Sequence, residues 1–173
     1  VSELRDKRLM MLLDVEKVLS ELSDGEEDND FNMVKDIRVD SNKKIFFVDD
    51  SSAARKQIAR TLDTMNLSYL YAENGKKAWE LLDKMGRETE TAGYHLKSQI
   101  SVILTDIEMP ELDGYELTKK IKADDRFNGI PVVLHSSLSS QANVSVGLST
   151  GADDYLGKFE PQALAAVVTK HVK

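Results

Sequence analysis

The chain has 173 residues, 41% of them hydrophobic, enough for one domain with a real core plus an appendage, whereas two complete domains would be a squeeze. Its 23 basic against 30 acidic residues leave a net charge of -7, which argues against a nucleic-acid or anionic-membrane surface, because counterion release needs clustered Lys and Arg. The absence of cysteine excludes a disulfide scaffold and a Cys zinc site, and fits a reducing, cytoplasmic setting.

The chain opens at Val1 rather than methionine, as a processed or cloned fragment would, and carries no export signal. Its apolar runs, such as "LMMLL" at residues 9 to 13, are far short of the ~18 to 20 residues needed to cross a bilayer, so no membrane insertion is expected. Over residues 1–22, Leu4, Met11, Val15, Val18, Leu19 and Leu22 share one helical face. "RLMMLLD" also reads as a strand of a missing sheet, with Asp14 capping the helix "VEKVLSEL". An isolated strand would lack a partner, so a helical extension is favoured. Residues 23–42 form an acidic linker: "ELSDGEEDND" puts six acidic side chains and a glycine into ten positions with almost nothing to bury.

From residue 43 to 173 one unit repeats five times, an apolar strand followed by a helix. Strand "KKIFFVDD" precedes a helix in "SSAARKQIARTLDTM", where Ala54, Ile58, Leu62 and Met65 share a face and a serine or Asp50 can cap. Then come "LSYLYA" and a helix from Lys76 to Met85, and "ISVILT" and a helix from Gly114 to Lys122. "PVVLH" leads to a helix from Ser140 to Ser149, and "DYLG" to one from Pro161 to His171. Continuous apolar strands without alternation predict an α/β fold with a parallel, doubly wound five-stranded sheet covered on both faces. Between the second helix and third strand, "GRETETAGYHLKSQ" predicts a long, mobile surface loop.

In such a sheet the ligand site lies beyond the carboxyl ends of the strands. Strand 1 ends in Asp49 and Asp50, strand 3 in Asp106, strand 4 in Ser136 and Ser137, and strand 5 runs into Lys158. Three gathered carboxylates repel one another unless a hard, oxygen-seeking dication joins them, and Mg²⁺ is the natural candidate. With Lys158 and Ser136 on the opposite wall to stabilise equatorial charge, the set suits phosphoryl transfer to the carboxylate of Asp106. A buried strand-end aspartate then has a reason to be there: it is a nucleophile held against a metal.

The segments "FFVDD", "LTDIEMPELDGYEL", "VVLHSS" and "GADDYLGK" resemble, in order and spacing, the receiver domain of bacterial response regulators. The resemblance implies a flavodoxin-like strand order 2-1-3-4-5. It implies Mg²⁺ bound by Asp50, Asp106 and the main-chain carbonyl of Glu108, with Asp49 acting through water. It also gives Ser136 and Tyr155 the switch positions and Lys158 the role of the family's lysine. Further forward, "MLLDVEKVLSEL" resembles the end of a CheW-like coupling domain, and the acidic linker after it is similar to the arrangement in CheV-type chemotaxis coupling proteins. That likeness implies a chemotaxis histidine kinase as phosphodonor, with chemoreceptors and coupling protein as further partners of the full-length chain. A homodimer through the N-terminal helix is an open alternative to that helix docking on the receiver. No DNA-binding domain is expected after His171.

Two departures stand out. The family's lysine is usually followed by a cis proline; here the pair is Lys158-Phe159, and a cis non-proline bond costs ~3 kcal/mol. Neither Glu108 nor Leu138 offers a side-chain amide to orient an attacking water, so a phosphoryl group on Asp106 is expected to be long-lived.

Taken singly, each residue has a plainer reading. "DD" before a helix is more often a cap, the serines loop caps, Lys158 a surface charge and Tyr155 a core tyrosine with a wet hydroxyl. His95, His135 and His171 are isolated, with His135 structural beside Ser136. The joint order at strand ends favours a phosphoacceptor switch rather than a metabolic enzyme. The alternatives are a haloacid-dehalogenase-type Mg²⁺ phosphohydrolase, which wants D-x-D on strand 1, and a phosphorylation-independent adaptor.

Overall fold

Each apolar run in the repeating region becomes a strand and each amphipathic run a helix in the computed structural model, which describes residues 42–137, 140–158 and 160–172. The expected helical extension (1–22) and nearly all of the linker (23–42) lie outside those residues, as do Leu138 and Phe159. In chain order the elements are β1 (Lys44–Val48), α1 (Ser52–Thr64), β2 (Tyr69–Ala72), α2 (Gly75–Ala92), β3 (Ile100–Asp106), α3 (Gly114–Lys122), β4 (Val132–Ser136), α4 (Gln141–Ser149), β5 (Asp154–Gly157) and α5 (Pro161–His171). Short 3-10 turns lie at Leu96–Ser98 and Asp125–Phe127.

All pairings are parallel and the order is β2-β1-β3-β4-β5, as the family resemblance implied. The central strand β3 is buried along its whole length, and β1 along all but its first residue. Alternate residues feed opposite faces: Ile45, Phe47, Val102, Leu104, Val133 and Leu156 join one core cluster with residues of α1 and α5. Phe46, Val48, Ile103 and Val132 join another with residues of α2 and α3.

The predicted stripe of α1 is buried throughout, with Ala54, Ile58, Leu62 and Met65 at most 3% exposed. Burying each of the three larger side chains contributes roughly 1.5 to 3 kcal/mol, against a few tenths for helix propensity, so packing holds this helix in place. The cap falls to Ser51, whose hydroxyl accepts from the amide of Ala54 at 3.3 Å, and not to Asp50.

The expected loop over residues 86 to 99 is a correction. Helix α2 runs on to Ala92 and ends at Gly93, whose φ of 78° is the left-handed conformation that glycine adopts freely. The cause is tertiary. Gly86 and Thr89 are buried on α2, and the Arg126 side chain lies against Gly86, close enough to touch a Cβ added there. Arg126 donates from Nη2 to Asp83 Oδ1 at 2.8 Å and from Nε to Asp124 Oδ1 at 3.0 Å, tying the long helix to the turn that follows α3. Leu96, in the following 3-10 turn, is fully buried.

Hydrogen bonds from Arg126 hold the carboxyls of Asp83 and Asp124 below the usual range, and the guanidinium's own pKa is raised in return. A carboxyl with a depressed folded pKa stabilises fully above its unfolded value, about 4, and loses that contribution as the pH falls through the folded value. The difference in melting temperature between the wild type and Arg126→Met should therefore hold steady from about pH 7 to 5 and shrink below about pH 4. A difference that grows toward acid would contradict this ion-pair network.

Candidate functional site

Parallel strands all point their carboxyl ends to one edge, and the order reverses between β1 and β3, where a doubly wound sheet opens a crevice. Asp49 follows β1, Asp106 is the last residue of β3, Ser136 the last of β4, and Lys158 follows β5. Asp49 and Asp106 are 0% and 1% exposed, whereas Asp50 is exposed at the rim. One carboxylate oxygen from each of the three lies within 4.8 Å of the other two.

The two buried carboxylates are oriented alike. Their Oδ1 atoms accept from main-chain amides, Asp49 from Ser51 at 2.8 Å and Asp106 from Ile107 at 2.7 Å. Their Oδ2 atoms are buried and turn toward the Lys158 ammonium, which lies 3.1 Å from Asp49 and 2.8 Å from Asp106. Burial pushes both carboxyls up; the charge of Lys158 pulls both back, and the neighbouring Asp106 raises Asp49 further. Burial pulls the other way on Lys158, but hydrogen bonding to Asp106 and the charges of Asp49 and Asp106 outweigh it, leaving its pKa raised.

Three ionised carboxylates and one ammonium sum to two uncompensated negative charges in a mostly buried space. Oxygen donors with that residual charge fit a hard dication such as Mg²⁺. The side chain of Glu108 is not part of the cluster: it is exposed and lies 3.4 Å from the Ser137 hydroxyl. Only its main-chain carbonyl remains for the role the resemblance implied.

Ser136 is fully buried at the end of β4, beside Gly157 in register. Its carbonyl accepts from the amide of Lys158 at 3.0 Å, which fixes the backbone from which the lysine reaches the carboxylates. The ammonium thus arrives in position without the family's proline. Tyr155 is half-buried on β5, packed with Tyr115 against Ile107, Leu134 and Ala152. His135 pairs in register with Asp106; burial, and secondarily the charge of Lys158, push its pKa down to about 3, so the ring is neutral and structural.

Two contributors went unnoticed in the sequence. Arg55, on the first turn of α1, donates from Nη1 to the main-chain carbonyls of Asp49 at 2.9 Å and Asp50 at 3.0 Å, clamping the acidic pair. Its spacing of five to six residues after the carboxylates was the available signal. Gly114 packs directly on the end of β3, where an added Cβ would lie 2.0 Å from the carbonyl oxygen of Asp106. In the sequence, Asp113-Gly114 has the look of an ordinary turn, and nothing local marks the close approach. A cleft of about 340 Å³ between the end of α2 and the turn around Arg126 contains none of the clustered groups.

Comparison with known proteins gives a consistent picture. The model of the "Response regulator receiver domain" family matches residues 45–169. Chemotaxis protein CheV2 of Helicobacter pylori is 35% identical over 159 residues, covering 91% of this chain and 48% of that protein. Chemotaxis protein CheY1 of Helicobacter pylori strain J99 is 37% identical over 123 residues, 70% of this chain and 90% of that one. The BeF3-activated N-terminal receiver domain of Klebsiella pneumoniae RstA superposes with a TM-score of 0.61 at 29% identity, covering 76% of this chain and 99% of that chain. The chain spans about half the length of the CheV relative and nearly all of the CheY one. Among the described residues no helix is long and apolar enough to cross a membrane.

Proposed function

The chain belongs to the response regulator receiver family, and from that premise we propose that it is a Mg²⁺-dependent phosphoacceptor switch modified on Asp106. The observation that carries the proposal is the gathering of two buried carboxylates, Asp49 and Asp106, the rim carboxylate Asp50 and the single ammonium of Lys158 at the sheet's switch point. Asp50, Asp106 and the main-chain carbonyl of Glu108 would hold the ion, with Asp49 acting through water. Mg²⁺, when bound, neutralises charge on the phosphoryl oxygens and the acceptor.

The chain's own groups do the rest. The amide of Ile107 fixes one oxygen of Asp106 and leaves the other facing the crevice for in-line attack on phosphorus. The new O–P bond forms as the P–N bond to the kinase's phosphohistidine breaks and the imidazole leaves, or as acetate leaves acetyl phosphate. Lys158 exchanges its contact with Asp106 for one with the transferred phosphoryl group, and the Ser136 hydroxyl adds a donor to the equatorial oxygens. Drawing Ser136 toward the phosphoryl group lets Tyr155, half-buried against Ile107 and Leu134, rotate inward. The surface of α4, β5 and α5 changes accordingly. The chain cycles its own phosphoryl group and turns over no external metabolite. The family match leaves the haloacid dehalogenase alternative without support.

The likeness to CheV2 extends over 91% of the chain, beyond the 70% shared with CheY1. That reach supports residues 1–22 as the end of a CheW-like coupling domain, 23–42 as a linker and 43–173 as the receiver. It also supports a chemotaxis histidine kinase as phosphodonor, with receptor-kinase coupling as the output of the full-length protein in the cytoplasm.

Intact mass after incubation with acetyl phosphate should show one added phosphoryl group in Mg²⁺, none in EDTA and none for Asp106→Asn. Partner binding indifferent both to Asp106→Asn and to beryllofluoride would instead favour an adaptor that ignores phosphorylation. Because Glu108 presents a carboxylate where an amide would orient water, Glu108→Asn should shorten the phosphoryl lifetime severalfold. A wild-type half-life of seconds in Mg²⁺, unchanged by that substitution, would contradict this.

A further inference from the structure

The loop between β3 and α3 carries the carbonyl of Glu108, yet its internal support is slight. Its main-chain hydrogen bonds are Met109 N–H to Ile107 O at 3.1 Å, Leu112 N–H to Pro110 O at 2.8 Å and Gly114 N–H to Ile107 O at 3.0 Å. Glu111 sits in it with a φ of 68°, a left-handed conformation that is costly for a residue with a side chain. Something outside must hold the loop in this shape.

That support is the first turn of α2. Gly75 is buried there, and a Cβ added to it would lie 2.0 Å from the carbonyl oxygen of Leu112, 3.0 Å from its carbonyl carbon and 3.1 Å from its Cβ. The obstruction is backbone, which cannot step aside as the tip of a side chain can. Asn74 fixes the same turn by accepting from the amide of Lys77 at 2.8 Å, and Lys76 reaches across to Glu111 at 3.8 Å. Leu112 meanwhile packs against the core cluster that includes Ala78 and Leu82 of α2. Gly114 grips the other end of the loop against Asp106.

We propose that Gly75 is a positioning residue for the metal-binding loop: its missing side chain lets the start of α2 close on Leu112 and hold Glu108 at the height that ion binding requires. The inference rests on the Mg²⁺-dependent reading given above. It makes the α2 N-terminus, an element contributing no ligand, a determinant of Mg²⁺ affinity.

Calorimetric Mg²⁺ titration, acetyl phosphate labelling and thermal melting of four proteins test it. For Gly75→Ala, Mg²⁺ affinity and labelling rate should each fall about tenfold with native circular dichroism retained. For Asn74→Ala, which loosens the same turn without adding an atom, a two- to threefold loss of Mg²⁺ affinity is expected. Leu62→Ala, which destabilises the domain through the buried face of α1 in the core cluster on the other side of the sheet, should melt earlier yet match the wild type in Mg²⁺ affinity. Should Gly75→Ala fail to fold, Asn74→Ala against Leu62→Ala decides the matter. Unchanged Mg²⁺ affinity in Asn74→Ala, or an equal loss in Leu62→Ala, overturns the inference. A wild type that binds no Mg²⁺ overturns the parent reading as well, and so is distinguishable.

Discussion

Lys158→Met should lower the metal-free stability of the domain by about 3 kcal/mol, and saturating Mg²⁺ should restore a large part of it. The ammonium is the shared counter-charge of two carboxylates that are 0% and 1% exposed, and it is itself only 10% exposed. Removing one partner of a buried ionic cluster leaves the others desolvated and unpaired, which costs ~3 to 5 kcal/mol. The cost falls at the low end of that range because the rim at Asp50 is open to water. Methionine keeps most of the stem's volume, so the loss reports on charge rather than on a cavity. Urea denaturation in EDTA and in Mg²⁺ makes the comparison. A loss that Mg²⁺ does not relieve would mean that lysine and metal do not serve the same carboxylates.

Asp106→Asn should act in the opposite direction on stability while removing function. Burial dominates the shift of the Asp106 carboxyl and raises it, which means that the folded state disfavours the ionised form there. Replacing it with a neutral amide relieves that cost and reduces repulsion with Asp49, so the metal-free midpoint should rise. Phosphoryl labelling should vanish altogether, and Mg²⁺ affinity should drop with the lost ligand. The site thus retains an electrostatic tension that the apoprotein would be more stable without, as functional sites commonly do. A variant less stable than the wild type in EDTA would show instead that the Asp106–Lys158 contact outweighs the desolvation of the carboxylate.

The repeating strand-helix unit was legible because strands covered on both faces need unbroken apolar runs. "IFFV", "SVILT" and "VVLH" all supply them. The constellation was legible for a topological reason: parallel strands bring their last residues to one edge, so Asp49, Asp106, Ser136 and Lys158 meet whatever lies between them. Distant packing was not legible. The extension of α2 through "RETETA" depends on Arg126, some forty residues away, lying against Gly86 and bonding Asp83, and no local pattern encodes that. The close approaches of Gly75 to Leu112 and of Gly114 to Asp106 are likewise properties of two elements at once. Lys158 shows the reverse case. The missing proline put its placement in question, yet its amide bonds the carbonyl of Ser136 and its ammonium lies 3.1 Å from Asp49 and 2.8 Å from Asp106.

The most direct measurement is borohydride trapping of the acetyl phosphate-treated protein, followed by peptide mass mapping, with Mg²⁺ and with EDTA. An acyl phosphate is reduced at its own carbonyl, so a homoserine at position 106, formed in Mg²⁺ and absent in EDTA, is the expected result. Reduction at another carboxylate, or equal reduction at position 106 without the metal, would contradict it.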